Sequence, residues 1–304
     1  MDLLSPLNNY GIKYKVVSCS HLPELEAEYI STLKNFNFNR DLYERYISAL
    51  NFKIPDTFPE AQSIIIVAVP SFRSEAVFNY SGKEHHLTIP PTYRGYNDTS
   101  AEILNIISAY LKSMKYKAVK TSLPQKLLAV HSGLAFYGKN NITYVKGLGS
   151  FYQLVSLYSD LPVEEDHWCG LRILERCNKC SACVNVCPTK AINTDRFIIN
   201  AERCITFFNE NGYEFPEWID SKAHNSLIGC MLCQYNCPEN KKVRNIVDYK
   251  TEFTEQETQQ ILNTDIVSKL SDEVKTKLTR LDLIDTHTNF TNLKRNLLML
   301  LHIK

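Results

Sequence analysis

"CNKCSACVNVCP", residues 177–188, sets four cysteines at C-x2-C-x2-C-x3-C and closes on proline, and "CMLCQYNCP", residues 230–238, repeats its second half as C-x2-C-x3-C-P. Thiolates two residues apart can wrap one iron–sulfur cube in a tight loop, leaving backbone N–H groups free to bond its sulfides. In two-cluster arrangements of this kind the cysteine before the proline ligates the other cluster. Cys177, Cys180 and Cys183 then take Cys237 as their fourth partner. Cys187, Cys230 and Cys233 are one short, and Cys204 of "ERCITFF" completes them. Eight cysteines thus close on two 4Fe–4S clusters. Zinc is the competing reading, but zinc sites pair two C-x2-C knuckles across a spacer, which the x2-x2-x3-P run fits poorly. Disulfides fit less well still. Cys19 and Cys169 are left over and read as small buried residues rather than ligands.

The chain of 304 residues is long enough for two domains. Its 44% hydrophobic and 22% charged content is ordinary for a folded protein, and its net charge of +1 calls for neither DNA nor a membrane surface. "MDLLSPLNNYGIKYK" has no basic stretch leading into an apolar one, as a secretory signal would. The longest apolar runs, "IIIVAVP" and "LLMLLHI", fall well short of the ~20 residues that a membrane helix needs. A protein that is not exported keeps its thiols reduced, which favours metal ligation. The expectation is a cytoplasmic protein with no membrane partner.

Upstream of the cysteines the patterning is mixed. "IKYKVVS" alternates like a half-buried strand, Pro23 opens a helix, and "SIIIVAVP" (63–70) reads as a buried strand. Residues 99–114 carry apolar side chains at helical spacing behind a Thr99–Glu102 capping box. Segments 127–135 and 150–158 read as helices, with a strand in "NNITYV" between them. After the cysteines come short amphipathic helices, one opened by a Thr254–Glu257 capping box and the last in "FTNLKRNLLMLLHI". The expected units are 1–165, 166–245 and a tail, 246–304. That tail holds eight basic and nine acidic residues, so it is not a basic surface.

Two clusters conduct electrons but do little substrate chemistry, so the chemistry must lie elsewhere. Residues 129–151, "AVHSGLAFYGKNNITYVKGLGSF", gather four of the ten glycines among asparagines and a lysine, a composition suited to close backbone approach and amide contacts. By composition alone, two tight turns flanking a strand are the better reading.

With the cysteines beside it, this segment resembles the epoxyqueuosine reductase family, through "SGLAFYGKNN", "GSF", "DLP", the double cluster and an "RC" cysteine, over about Ile64 to Asn240. The two-part architecture also resembles the core of reductive dehalogenases. The resemblance implies an α+β protein: a nitroreductase-like α/β domain that binds cobalamin, a ferredoxin-like domain with two 4Fe–4S clusters, and a short helical tail. It implies that Gly133, Tyr137, Gly138, Lys139, Asn140, Asn141, Gly149 and Ser150 line the cobalamin site. Clusters of low potential would reduce the cobalt, and an external low-potential donor would reduce the clusters.

Departures from the family shape the functional expectation. Its proposed proton donor, an aspartate in a "D-[ST]-x-P" motif, has no counterpart in "KYKAVKTSLPQKLLA" (115–129), which holds neither Asp nor Glu. The family signature "ARGRDYH" survives only as "YRGYNDT" around Arg94 and Gly95, beside which Tyr93, Tyr96 and Asp98 are possible donors. No catalytic residue is identified. The family's helical-repeat region that grips tRNA is not expected in the tail. The leading expectation is therefore a cobalamin- and iron–sulfur-dependent reductase of a small molecule, with tRNA not a partner. Epoxyqueuosine reduction in tRNA is the alternative, and electron transfer to a partner protein is the third. His85 and His86 of "KEHH" read as a solvated loop, "NKKVRN" as a basic surface, and the aromatics of "FFNENGYEFPEWIDSKAHN" as a shield for a cluster.

Overall fold

The computed structural model describes residues 7, 11–34, 44, 47–194, 198–284 and 289–302. The apolar run 63–70 forms β2 (Ser63–Pro70) at the middle of an antiparallel sheet ordered β1 (Lys13–Ser18), β2, β8 (Tyr152–Ser159), β5 (Ala118–Lys120). Strand alternation decides what covers it. Ile64, Ile66 and Ala68 join a core with α1 (Leu22–Lys34) and α3 (Gln125–His131). Ile65 and Val67 join a separate core with Ile103, Ile107 and Leu111 of α2 (Tyr96–Ser113). Helices therefore cover both faces, and the central strands have no solvent side on which to place polar residues.

The same fact corrects one expectation. Residues 150–158 are not a helix, because β8 occupies 152–159 and is buried at all eight positions. The helix expected from 127 ends at His131, and the chain turns into a small hairpin of β6 (Phe136–Tyr137) and β7 (Thr143–Tyr144). α2 begins at Tyr96, three residues before the expected Thr99 cap, and no side chain caps it. Gly95 precedes it with φ +68°, a left-handed conformation suited to glycine, and its N–H is bonded by the Asp282 carboxylate. "KEHH" is not a loop. It lies in β4 (Lys83–Ile89), paired antiparallel with β3 (Arg73–Tyr80), where His86 Nδ1 stands 3.1 Å from Glu75 Oε1.

The tail does not begin as a helix but as β9 (Val247–Phe253), which pairs in parallel with β3. Three helices follow: α7 (Glu255–Leu262), α8 (Asp272–Arg280) and α9 (Phe290–Leu300). The Thr254–Glu257 capping box forms as expected, with Glu257 N–H to Thr254 Oγ1 at 3.2 Å and Thr254 N–H to Glu257 Oε2 at 2.8 Å. Phe78, Ile89, Phe253, Ile261, Leu278 and Leu297 make a core of their own, which also takes in Leu227 and Ile228 from the cysteine-rich segment. Phe78 and Phe253 stack with centroids 4.5 Å apart. Among the described residues no helix is long and apolar enough to cross a membrane.

α9 also clasps α5 (Ile205–Glu210), the helix that follows Cys204. Arg295 donates to the carbonyls of Phe208 (2.6 Å), Asn211 (3.0 Å) and Tyr213. Asn296 Nδ2 donates to Asn209 O and Leu227 O, both at 2.9 Å, and Asn292 Nδ2 to Glu210 O at 3.1 Å. These are carbonyls that a short helix cannot satisfy within itself. Replacing Phe253, fully buried at the centre of the tail core, by alanine is expected to cost about 3–5 kcal/mol in urea unfolding. A cost below about 0.5 kcal/mol would mean that β9 merely rests on the surface.

Candidate functional site

The eight paired cysteines come from tight loops and one-turn helices, including α4 (Ala182–Val186) and α6 (Leu232–Tyr235), where spacing rather than a core sets their direction. They stand in two neighbourhoods. Cys183 is pushed up to about 11 by burial and then by Cys177, Cys237 and Cys180 beside it. Cys230 is pushed up to about 12 by burial and then by Cys204, with Cys187 adding to it. Burial, Cys230 and Cys204 raise Cys233 in turn, and Cys183 reaches it from the first group, so the two quartets adjoin. Buried thiols that raise one another's pKa lack a counter-charge, which a cationic metal cluster would supply. The residues present suit 4Fe–4S clusters.

Aromatic residues close the second quartet on one side. Phe207, Phe208 and Ile219 form a small core against which Cys230 packs. Of the two remaining cysteines, Cys19 is buried against the sheet and raised to about 12 by that burial, a poor nucleophile and a poor ligand. Cys169 lies beside Gly133, its N–H donating to His131 O at 2.7 Å.

A cavity of about 780 Å³ opens between the sheet domain and the cysteine-rich segment. One wall is the segment Lys120–Leu127, from the end of β5 into α3, with Tyr29 and Tyr137, and the other carries Ile199, Cys204, Phe207 and Glu210. A cluster cysteine and a carboxylate therefore share one space with this segment of the sheet domain. Lys126 is open to this cavity, yet surrounding protein lowers its ammonium pKa, while Cys204 and Glu210 work in the opposite direction. Tyr93 donates a short hydrogen bond to Glu210. Burial, with Glu28 next, keeps the Tyr137 phenol protonated far above neutral pH.

The glycine-bearing segment divides between this cavity and the cysteines. Tyr137 and Asn141 line the cavity. Lys139 Nζ donates to Cys180 O at 2.9 Å, and Asn140 Nδ2 donates to the Tyr144 hydroxyl oxygen at 3.0 Å. Ser150 is held by Asn240, its N–H to Oδ1 at 2.8 Å, and its hydroxyl donates to Gln234 Oε1 at 2.9 Å. A Cβ on Gly149 (φ +59°) would lie 2.2 Å from Asn240 Oδ1, and one on Gly133 (φ +77°) 3.2 Å from Arg172 Nη2. A Cβ on Gly138 would meet Tyr144 at 2.5 Å. Of the eight residues expected to line one cofactor site, six thus face other parts of the protein. Lys139, Gly149 and Ser150 meet the cysteine-rich segment, while Gly138 and Asn140 pack within their own hairpin, roles that composition could not separate from cofactor binding. Glu210 went unnoticed because it is far from the family's proton-donor motif in sequence and enters the cavity from the opposite wall.

Residues 176–240 match the family described as 4Fe-4S double cluster binding domain. An epoxyqueuosine reductase of Bacillus subtilis (strain 168) is 29% identical over 258 residues, covering 77% of this chain and 65% of that protein. One of Aliivibrio fischeri is 30% identical over 179 residues, covering 58% and 46%. The chain thus spans less than two thirds of the length of these relatives. Among solved structures, an epoxyqueuosine reductase with a tRNA-Tyr epoxyqueuosine-modified tRNA stem loop shares the fold at a TM-score of 0.66 and 21% identity, over 99% of this chain and 80% of that one.

That complex overturns the expectation that tRNA is unlikely as a partner, since a protein of this fold holds a tRNA stem loop. Summing the charge of the tail was the wrong measure, because phosphates are met by local charge. Lys146, Arg176, Lys241 and Lys242, distant in sequence, line one groove of about 730 Å³. By its sequence and its fold, the chain is a relative of the epoxyqueuosine reductases and carries a 4Fe–4S double cluster binding domain.

Proposed function

We propose that this chain reduces the epoxide of epoxyqueuosine in tRNA, the reaction for which its relatives are named. The observation that carries the reading is the shared cavity, where Cys204 and Glu210 face the segment Lys120–Leu127. Removing an epoxide oxygen as water, leaving a double bond, consumes two electrons and two protons. An electron route must reach the same space as an acid. Cys204 stands at the end of the proposed route, and Glu210, bonded by Tyr93, and Lys126 are the titratable groups beside it. The carboxylate absent from 115–129 is thus supplied across the cavity. The small-molecule reading expected from that absence has no observation behind it.

Cysteines 177, 180, 183 and 237 would hold one 4Fe–4S cluster, and cysteines 187, 204, 230 and 233 the other. The cavity, lined by aromatic and aliphatic side chains with a few amide and charged groups, suits an amide-fringed macrocycle such as cobalamin. Cobalamin bound there would supply a low-potential cobalt able to attack or reduce the epoxide. Tyr137 and Asn141 would orient it, and the apolar wall would exclude water. The groove of Lys146, Arg176, Lys241 and Lys242 supports contact with the tRNA backbone.

Three outcomes test this reading. Anaerobic reconstitution should yield about eight irons per chain. Cys204→Ser should lose one cluster's worth, while Cys19→Ser loses none; equal iron in both variants would break the ligand assignment. The intact gene, supplied to a cell lacking epoxyqueuosine reductase, should restore queuosine in its tRNA nucleosides. A folded, cluster-loaded protein that restores none would overturn the proposed reaction. Glu210→Gln should retain its iron yet lower turnover by roughly 10²–10⁴-fold, the usual worth of a general acid.

A further inference from the structure

Asn225 stands five residues before Cys230, and the proposed reaction does not use its side chain. Its Oδ1 accepts the Met231 N–H at 2.9 Å, and its Nδ2 donates to Ala223 O at 2.9 Å and to Cys230 Sγ at 3.2 Å. What each end of the amide meets fixes which end it is. The Met231 N–H can only donate, so the atom facing it is oxygen. The Ala223 carbonyl can only accept, so the atom facing it is nitrogen. An amide nitrogen carries two hydrogens, and with one on Ala223 the other goes to sulfur. Turned over, the amide would set its oxygen against a carbonyl oxygen and a sulfur, and its nitrogen against a backbone donor.

The surrounding turn holds this amide in place. Ala223 is buried in the small core of Ile205, Phe207, Phe208 and Ile219, against which Cys230 packs. Ser226 Oγ and Asn209 Nδ2 both donate to Gly229 O, at 3.0 and 2.8 Å. Leu227 N–H donates to Thr88 O at 3.0 Å, which pins the turn to β4. Gly229 (φ +64°) lets the chain pass Tyr93, since a Cβ there would lie 2.5 Å from the Tyr93 hydroxyl. Cys187, assigned to the same quartet, meets donors of its own. The Ala191 N–H donates to its sulfur at 3.3 Å, and the Thr189 hydroxyl lies 3.7 Å from it. A sulfur bound to iron carries no hydrogen, so in the loaded protein the hydroxyl is the donor.

We propose that Asn225, seconded by Thr189, raises the reduction potential of the second cluster and so draws electrons to the cavity end of the pair. An electron added to a cluster increases the negative charge on its ligand sulfurs. A donor to such a sulfur favours the reduced form and raises the potential. The second cluster is the one whose ligand Cys204 lines the cavity. Raising its potential increases the share of a stored electron that stands beside that space. Asn225 acts through Cys230 and Thr189 through Cys187, so both are tuning residues. The inference rests on the assignment of Cys187, Cys204, Cys230 and Cys233 to one cluster, and not on the substrate.

The test is a redox titration of the reconstituted protein without substrate, followed by electron paramagnetic resonance. The signal lost in Cys204→Ser marks the second cluster. Asn225→Ala should lower the potential of that cluster alone, changing its reduced-to-oxidised ratio at fixed poise about tenfold, or about 59 mV for a one-electron couple. Thr189→Val keeps the shape of a buried side chain and loses its hydroxyl, and it should lower the same potential by less. Ser226→Ala removes a buried hydroxyl of the same turn that bonds a carbonyl rather than sulfur, and it should move neither cluster. If Asn225→Ala fails to load both clusters, Thr189→Val decides. An unchanged second potential in the iron-loaded variant, or an equal shift in the first cluster or in Ser226→Ala, would overturn the proposal. Because no substrate is present, the outcome is independent of whether the chain acts on epoxyqueuosine. A wrong ligand assignment shows separately, as a Cys204→Ser protein that keeps its full iron.

Discussion

The contact on which this structure turns is the one between the β6–β7 hairpin and the cysteine-rich segment. The hairpin has two residues in each strand, too few to be stable alone. It is held by the segment Arg172–Leu174 ahead of Cys177, by Lys139 on the Cys180 carbonyl, and by Tyr152 on Thr143. In return it gives the cysteine loops a wall they cannot build themselves, because thiol ligands and tight turns leave little apolar surface to bury. The sheet behind it supplies the rigidity, with helices over both faces. Order thus passes from β2 and β8, through the hairpin, to the groups that carry electrons.

What was legible in the sequence was whatever is fixed locally. Cysteine spacing is local, since a cluster dictates the geometry of its own loop, and it singled out the segment 176–240. The Thr254–Glu257 capping box is local too and forms as read. β8 was misread because a strand buried on both faces loses the alternation that distinguishes it from a buried helix. The start of α2 was misplaced because the group that meets Gly95 is Asp282, 187 residues away. The glycine segment was read as one cofactor lining, whereas Tyr137 and Asn141 line the cavity and Lys139, Gly149 and Ser150 meet the cysteine-rich segment. Composition cannot carry that distinction, because asparagine and glycine serve an interdomain contact and a ligand equally well.

The tail shows how a remote element can shape a site that it does not line. Neither β9 nor α9 reaches the cavity, yet Asn292, Arg295 and Asn296 hold the carbonyl end of α5. Without those donors the exposed carbonyls of so short a helix would have to find water, and its last turn would fray. Cys204 precedes that helix and Glu210 ends it. The clasp therefore fixes the distance between a cluster ligand and a carboxylate across roughly 9 Å of helix, at about 1.5 Å per residue.

That spacing bears on how a family can change its proton donor without losing its chemistry. The reaction needs an acid that reaches one point in a closed space, and no physical rule requires it to arrive on a particular loop. In this chain the segment Lys120–Leu127 carries lysines and no carboxylate, and Glu210 enters from the facing wall. An ammonium and a carboxylate inside one cavity lower the cost of holding either charge away from water. Under the proposed reading Glu210 on α5 is tied to Cys204, so a shift of that helix would move the proton source and the electron source together. A mutation that loosens the α9 clasp would then disturb both at once, whereas one in the segment Lys120–Leu127 would disturb the cavity wall alone.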